Sequence, residues 1–553
     1  MRIKFRKIRP LSTTGLIAGT FFFALSMTPG LVPRTDLFQG IVSGLSFAAG
    51  YGIGVLIIWI WMYLGLPKMT TNIKKYAQIG AASVCVVTGI IFLRQANGWQ
   101  NELRAIMEME PAPGMQPLTI ALVAALVFLV IMVLTRLFRF ISRAIISRLK
   151  RYVPEPISYL TGLIVSFILF WSVLDGVFFS VLLRSADSAY EQIDDLIEPE
   201  AEQPADPMLT GSSESLLSWE KMGRQGRRFL STAPSSAAFA MFTDEEVMDP
   251  IRVYVGMSAA ETAEEKAALA LQELVRTGAF ERSLMVIVTP TGTGWIDPAS
   301  VLPLEYLHRG DVATVAAQYS YLPSALSLLV EEEYGVEMAR ALFREIYDYW
   351  SSLPSGERPQ LYLHGLSLGA LNSDRSFDLY DIVNDPVNGA FWVGPPFRKQ
   401  SWQTITANRQ PDSPAWLPRF RDGSVVRFAN QHGGLETGEA PWGNYRMAYL
   451  QYASDPITFF DPRSFFRQPE WMNHPRGHDV SPELRWYPVV TMVQLALDMA
   501  SGTAPRGYGH EYAAEHYFDS WLALTEPSGW SPEELTQLRE YFSNVDLSGG
   551  PQN

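Results

Sequence analysis

Gln360-Leu-Tyr-Leu-His-Gly365-Leu-Ser367-Leu-Gly369-Ala370 reads as an apolar strand, a sharp turn and the first residues of a helix. A serine held in such a turn is the pattern of a nucleophile elbow, where flanking glycines keep side chains out of the strand–helix crossing. Gly-x-Ser-x-Gly alone is weak evidence, because chance supplies about 0.2 copies in a chain of this size. Its surroundings carry more weight. Short apolar runs at Arg252–Met257, Leu284–Thr289, Thr314–Tyr319, Gln360–His364, Ala390–Val393, Val425–Ala429 and Met447–Tyr452 alternate with helix-like stretches such as Ala260–Thr277 and Ala325–Leu353. That alternation predicts a mostly parallel sheet covered by helices, with Ser367 at the end of its fourth strand.

An elbow serine needs an acid and a base downstream, in the order Ser, Asp, His. Asp455 follows the last strand directly, although an Asx turn before Pro456 would also explain it. Asp461, before Pro462, is the competitor. Of the seven histidines, four follow Asp455. His510, in Gly507-Tyr-Gly-His510-Glu, sits in a glycine-flanked loop able to approach Ser367. His478 is the alternative base, while His516 reads as an exposed helix residue and His364 as a packed neighbour of the elbow. His474, His478 and Asp479 have ligand-like spacing, but Pro475 disfavours the helix that would align them, so no metal and no cofactor is expected. The oxyanion hole would use backbone N–H groups: Leu368 after the nucleophile, and Thr291 or Gly292 in the glycine-rich turn after Leu284–Thr289.

The first third of the 553-residue chain has a different character. Apolar stretches at roughly 14–31, 41–65, 77–93, 118–140 and 157–183 approach the ~20 residues needed to cross a bilayer. They predict a five-span α-helical transmembrane bundle. The N-terminal arm, the loop with Lys68, Lys74 and Lys75, and the loop from Arg136 to Arg151 are basic. These place the N-terminus in the cytoplasm and everything after the fifth span outside. Asp175, within that span, reads as a residue reaching interfacial water; Gly44, Gly50, Gly52 and Gly54 read as close helix packing. A net charge of −13 argues against a nucleic-acid partner, and a single cysteine excludes an intrachain disulfide. The layout expected is a transmembrane domain over 1–185, a linker and entry segment over 186–245 with an exposed Pro/Gly/Ser-rich stretch at 198–216, and a catalytic domain over 246–553.

Longer runs give a more specific signal. Val288-Thr-Pro-Thr-Gly-Thr-Gly-Trp-Ile-Asp-Pro298, Gln318-Tyr-Ser-Tyr-Leu-Pro323, Phe391-Trp-Val-Gly-Pro-Pro396, Leu450-Gln-Tyr-Ala-Ser-Asp-Pro456, Asp479-Val-Ser-Pro482 and Arg485-Trp-Tyr-Pro-Val-Val-Thr491 resemble a family of multi-spanning bacterial α/β-hydrolases. The resemblance covers essentially the whole chain, weakly in the spans and strongly from about residue 217. It implies an N-terminal membrane region before an α/β-hydrolase domain, with Ser367 as nucleophile, Asp455 as acid and His510 as base. Leu366 stands where the family often has an acidic residue, which bears on pocket polarity and not on the nucleophile. At His478 relatives are expected to lack histidine.

The expected function is hydrolysis of a lipid-like or cell-envelope ester at the outer face of the bacterial cytoplasmic membrane. Acyl transfer through the same triad is an alternative. A membrane binding or assembly protein with an inert hydrolase domain is another. Trp295, Trp392, Trp402, Trp416 and Trp442 fit an apolar substrate site or simply core.

Overall fold

The computed structural model describes residues 11–67, 71–172, 190–194, 196–197, 201–324, 326–327, 332–501, 503–545 and 547. Two compact units emerge. One joins Met1–Phe179 to Phe460–Gly509, and the other joins Ser180–Phe459 to His510–Asn553.

The second unit is built on seven strands: β1 (Ile251–Val255), β2 (Leu284–Thr289), β3 (Val312–Ala317), β4 (Gln360–Leu366), β5 (Gly389–Val393), β6 (Val426–Ala429) and β7 (Arg446–Leu450). Their order is β1-β3-β2-β4-β5-β7-β6, and every pairing is parallel. β2 and β3 are buried along their whole length, as continuous Val/Ile/Ala-rich runs require in a sheet covered on both faces. All seven expected strands are present, with ends shifted by one or two residues. The register pairs Leu366 with Val393 and Val393 with Leu450, so β4, β5 and β7 end level. Residues following these three strands therefore share one edge of the sheet, the edge where parallel α/β folds build their sites.

The stretch expected as an exposed linker is not free. Thr210 and Ser212 are buried, and a side chain at Gly211 would lie 2.7 Å from Trp219. Ser215 Oγ and Leu216 N–H donate to Glu273, in the helix Ala263–Arg276, at 2.7 and 3.1 Å. A polar, proline-rich composition reads as linker, but here its polar groups find partners on a helix and the segment becomes a strap.

The first unit contains α1 (Thr13–Ser26), α2 (Asp36–Tyr63), α3 (Thr71–Ile106), α4 (Pro117–Leu149) and α5 (Glu155–Ser172). Among the described residues, four helices are long and apolar enough to span a bilayer, and they make this N-terminal region membrane-embedded. The expected first span differs. α1 has 14 residues, about 21 Å of helix against a core of about 30 Å, and a buried non-helical stretch follows it. Side chains at Gly44, Gly50 and Gly54 would collide with α4 or α1 at 2.5–2.7 Å, so these glycines do serve close packing, whereas Gly52 faces open space. Asp175 lies outside the described residues.

Phe460–Gly509 belongs to this unit although its flanks belong to the other. Its helix Val490–Ser501 packs against α1 and α2. Asp498 accepts Arg34 Nε at 2.6 Å, Arg34 Nη2 at 3.0 Å and Leu31 N–H at 2.9 Å, while Arg34 N–H donates to Gln100 Oε1 at 2.9 Å. Gln494 Nε2 donates to Thr28 O at 2.9 Å. These bonds satisfy buried backbone after α1 that no helix bonds.

Candidate active site

Ser367 stands between β4 and the helix Leu368–Asp374 with φ 54° and ψ −121°, a conformation that side-chain-bearing residues rarely hold. Two close approaches enforce it. A Cβ at Gly365 would meet the Gly369 carbonyl carbon at 2.4 Å, and one at Gly369 would meet Thr289 O at 2.2 Å. The strand–turn–helix reading of 360–370 therefore holds, for a steric reason. Ser367 N–H donates to Val393 O at 2.9 Å, which fixes the turn to β5. The far end of the elbow helix is braced by Asp374, paired at 2.7 Å with the fully buried Lys399, whose ammonium lies 3.5 Å from the Trp392 ring.

Asp455 is fully buried just beyond β7. Its two oxygens divide the work. Oδ1 accepts Ile457 N–H at 2.8 Å and Thr458 N–H at 3.3 Å, capping the turn Pro456–Phe459. Oδ2 accepts His510 Nδ1 at 2.8 Å, Tyr512 Oη at 2.8 Å and Thr458 Oγ1 at 3.0 Å. The Asx turn is thus made by Oδ1, while Oδ2 meets the imidazole of His510. With Nδ1–H given to the carboxylate, Nε2 is left as the acceptor, and this atom is buried with no hydrogen-bond partner among the described residues. Burial presses the imidazole pKa down. The charge and hydrogen bond of Asp455, with Glu511 and Asp297 behind them, outweigh it and hold the ring above its ordinary 6.5.

Gly394 ties this pair to the elbow. It follows Val393, the acceptor of Ser367 N–H, at φ 50°, and a Cβ there would lie 2.6 Å from His510 Cε1 and 2.9 Å from the Tyr512 ring. The imidazole thus sits over the residue next to the backbone partner of Ser367.

The other candidates fall elsewhere. Asp461 caps a short 3₁₀ turn through Arg463 N–H at 2.8 Å. His478 belongs to the first unit, and the carboxylate that would orient a base is engaged by His510. His364 is buried, bonded through Nδ1 to Phe391 O at 2.8 Å, and burial lowers its pKa to about 4. His516 is half-buried rather than exposed, with Nδ1 2.6 Å from the Tyr452 hydroxyl. Trp392, Trp402 and Trp416 are core.

Leu368 N–H opens the elbow helix, where no intrahelical acceptor exists for it. The turn after β2 also lies beside the elbow, since Thr289 O and Pro290 O both crowd Gly369. Its two expected donors are occupied, however. Thr291 N–H donates to Trp295 O at 3.0 Å, and Gly292 N–H donates to Ser324 Oγ at 3.1 Å. In this conformation neither is open to an oxyanion, and Gly292 becomes available only by releasing a side-chain hydroxyl.

Two residues at the site were not singled out from the sequence, Tyr512 and Gly394. Tyr512 stands two positions after His510, where a strand-like alternation would have aimed it the same way. Gly394 lies within the Phe391–Pro396 run, but its contact is with a residue more than a hundred positions away.

A seven-stranded parallel sheet, an elbow serine at its carboxyl edge and an Asp–His pair after β7 define the α/β-hydrolase class of fold. The "Alpha/beta-hydrolase family" model matches residues 251–538, just over half of the chain, and the "Alpha/beta-hydrolase family N-terminus" model matches residues 27–234. This chain belongs to that α/β-hydrolase family, and membership supports a hydrolase-like function. Comparison with curated proteins and with solved structures gives no match.

Proposed function

We propose that this protein is a membrane-anchored serine hydrolase that cleaves a lipid-like or envelope-derived carboxylic ester through Ser367, His510 and Asp455. The observation that carries the reading is the His510–Asp455 bond of 2.8 Å with Nε2 left buried and unpartnered beside the elbow. Ser367 Oγ attacks the ester carbonyl carbon while Nε2 takes its proton. The resulting imidazolium is stabilised by Asp455, and the oxyanion is met by Leu368 N–H and by Gly292 N–H once it releases Ser324 Oγ. Collapse breaks the C–O bond, and His510 returns the proton to the leaving alkoxide. Water, deprotonated by Nε2, then attacks the acyl-serine; Ser367 regains its proton and the acid departs. The lipid-like substrate class is supported by tethering to apolar helices, which concentrates the domain where acyl chains are.

The basic 136–151 segment, just before α5, supports a cytoplasmic connection between α4 and α5 and a catalytic unit on the opposite face of a cytoplasmic membrane. The test is a p-nitrophenyl ester presented to the full chain in detergent. A stoichiometric burst of nitrophenolate, with the acyl mass found on the Ser367 peptide, is expected. Nitrophenolate release without an acylated Ser367 would count against the mechanism. Adding sugar or lipid alcohols in a single turnover separates hydrolysis from acyl transfer by the ratio of free acid to new ester.

A further inference from the structure

The segment Phe460–Gly509 carries an open cleft of about 500 Å³, lined in part by Asn473, His474, Arg476, Arg485, Trp486 and Tyr487. The guanidinium of Arg476 is half-buried and held by backbone carbonyls alone: Nε donates to Met472 O at 3.2 Å, and Nη1 to Ser481 O at 3.3 Å and Pro482 O at 3.1 Å. Its Nη2 donors are unused among the described residues. Arg485 is exposed, with no hydrogen bond or ion pair among the described residues.

Two guanidiniums meet at the cleft. Burial first, and Arg485 second, lower the pKa of Arg476, while Glu483, itself near Glu102, offsets them. Arginine pairs of this kind match a phosphate, which accepts their planar N–H groups two at a time.

The surroundings point to where the phosphate comes from. Trp486 Nε1 donates to Ser464 O at 2.8 Å, which fixes the indole against the turn Pro462–Phe465. That turn packs on the apolar helix Val490–Ser501 and presents Phe465 and Phe466, 46% and 67% exposed. Exposed Phe beside Trp, Tyr and Arg, on a segment packed among membrane helices, is the composition of a membrane–water interface. We propose that this cleft binds the phosphate of an anionic phospholipid headgroup between Arg476 and Arg485, with Phe465 and Phe466 against its acyl chains.

The test is native mass spectrometry of the full chain, released from micelles doped with phosphatidylglycerol or phosphatidylcholine of matched chains. Wild type is expected to retain phosphatidylglycerol preferentially. Arg485→Gln touches no structural bond and should weaken that retention about tenfold, the scale of one charge-assisted contact. Arg476→Gln should weaken it further, and Phe465→Ser/Phe466→Ser should weaken retention of the lipid but not of glycerol 1-phosphate. Equal retention of both lipids, or wild-type retention in Arg485→Gln, would overturn the proposal. Glycerol 1-phosphate binding as tightly as the lipid would reduce the site to one for a soluble phosphate and overturn the lipid assignment. Hydrolase activity is not read in this assay, so its result is independent of the proposed reaction.

Discussion

The Tyr512 hydroxyl and the His510 imidazole donate to the same oxygen, Asp455 Oδ2, each at 2.8 Å. A third donor, Thr458 Oγ1, reaches that oxygen at 3.0 Å, and the Tyr512 ring stacks on Tyr452 with centroids 4.3 Å apart. Asp455 Oδ2 is thus held beside the imidazole by a phenol that is itself stacked. The proton on Tyr512 is secure, because burial and then the Asp455 charge push its pKa well above 10.

Tyr512→Phe keeps the ring and removes one donor from Oδ2. The carboxylate then bears more charge toward His510, so the imidazole pKa rises and the acid limb of the rate profile moves to higher pH. A three- to tenfold loss of acylation rate near neutral pH, recovered in part at alkaline pH, is expected, at about 1 kcal/mol for one hydrogen bond. A rate loss with an unshifted profile would assign Tyr512 a packing role only.

The raised pKa of His510 sets a pH window. The reaction needs the neutral ring, so acylation should climb with pH through a midpoint above 6.5. The stability contributed by the charged His510–Asp455 pair runs the other way. It is full below 6.5, the unfolded value, and is lost as pH rises through the folded one. Glu511→Gln removes one of the charges that raise the ring and should lower the kinetic midpoint; an upward movement contradicts this electrostatic account.

Gly394→Ala places a methyl 2.6 Å from His510 Cε1, at φ 50°. The ring must move by about 1 Å, a displacement that costs on the order of 100-fold in rate. Circular dichroism should stay that of the wild type, because the neighbouring strand is untouched. Normal acylation by this variant would show that the ring is not held against β5.

Seven strands and the elbow were legible because their signals are local: apolar runs for the strands, two glycines with no room for a Cβ for the turn. Asp455 and His510 were legible through order along the chain and position after a strand. What the sequence hid is long-range. Asp498 meets Arg34 across 464 positions, and nothing in the composition of 460–509 separates it from the second unit on either side. The bonds occupying Thr291 N–H and Gly292 N–H depend on how one turn closes and on Ser324, which the glycine pattern does not encode.

Breaking the Arg34–Asp498 pair tests the placement of 460–509 in the membrane unit. Both side chains are buried, so Asp498→Ala leaves an unpaired guanidinium at a cost of about 3–5 kcal/mol. Its thermal midpoint in detergent should fall, with faster tryptic cutting at Arg463, Arg467, Arg476 and Arg485. Arg34→Met/Asp498→Leu should recover most of the loss. Unchanged trypsin resistance in Asp498→Ala would mean that the segment is anchored by something else.

In the proposed reaction Ser367 is a nucleophile activated by His510. Fluorophosphonate labelling of the full chain in membranes, with Ser367→Ala, Asp455→Asn, His510→Ala and His478→Ala beside wild type, addresses it most directly. Labelling should vanish in Ser367→Ala, slow severely in His510→Ala and Asp455→Asn, and proceed at the wild-type rate in His478→Ala. A wild-type chain that stays unlabelled while a control hydrolase reacts, or a silent His478→Ala beside a normally labelled His510→Ala, would contradict the account.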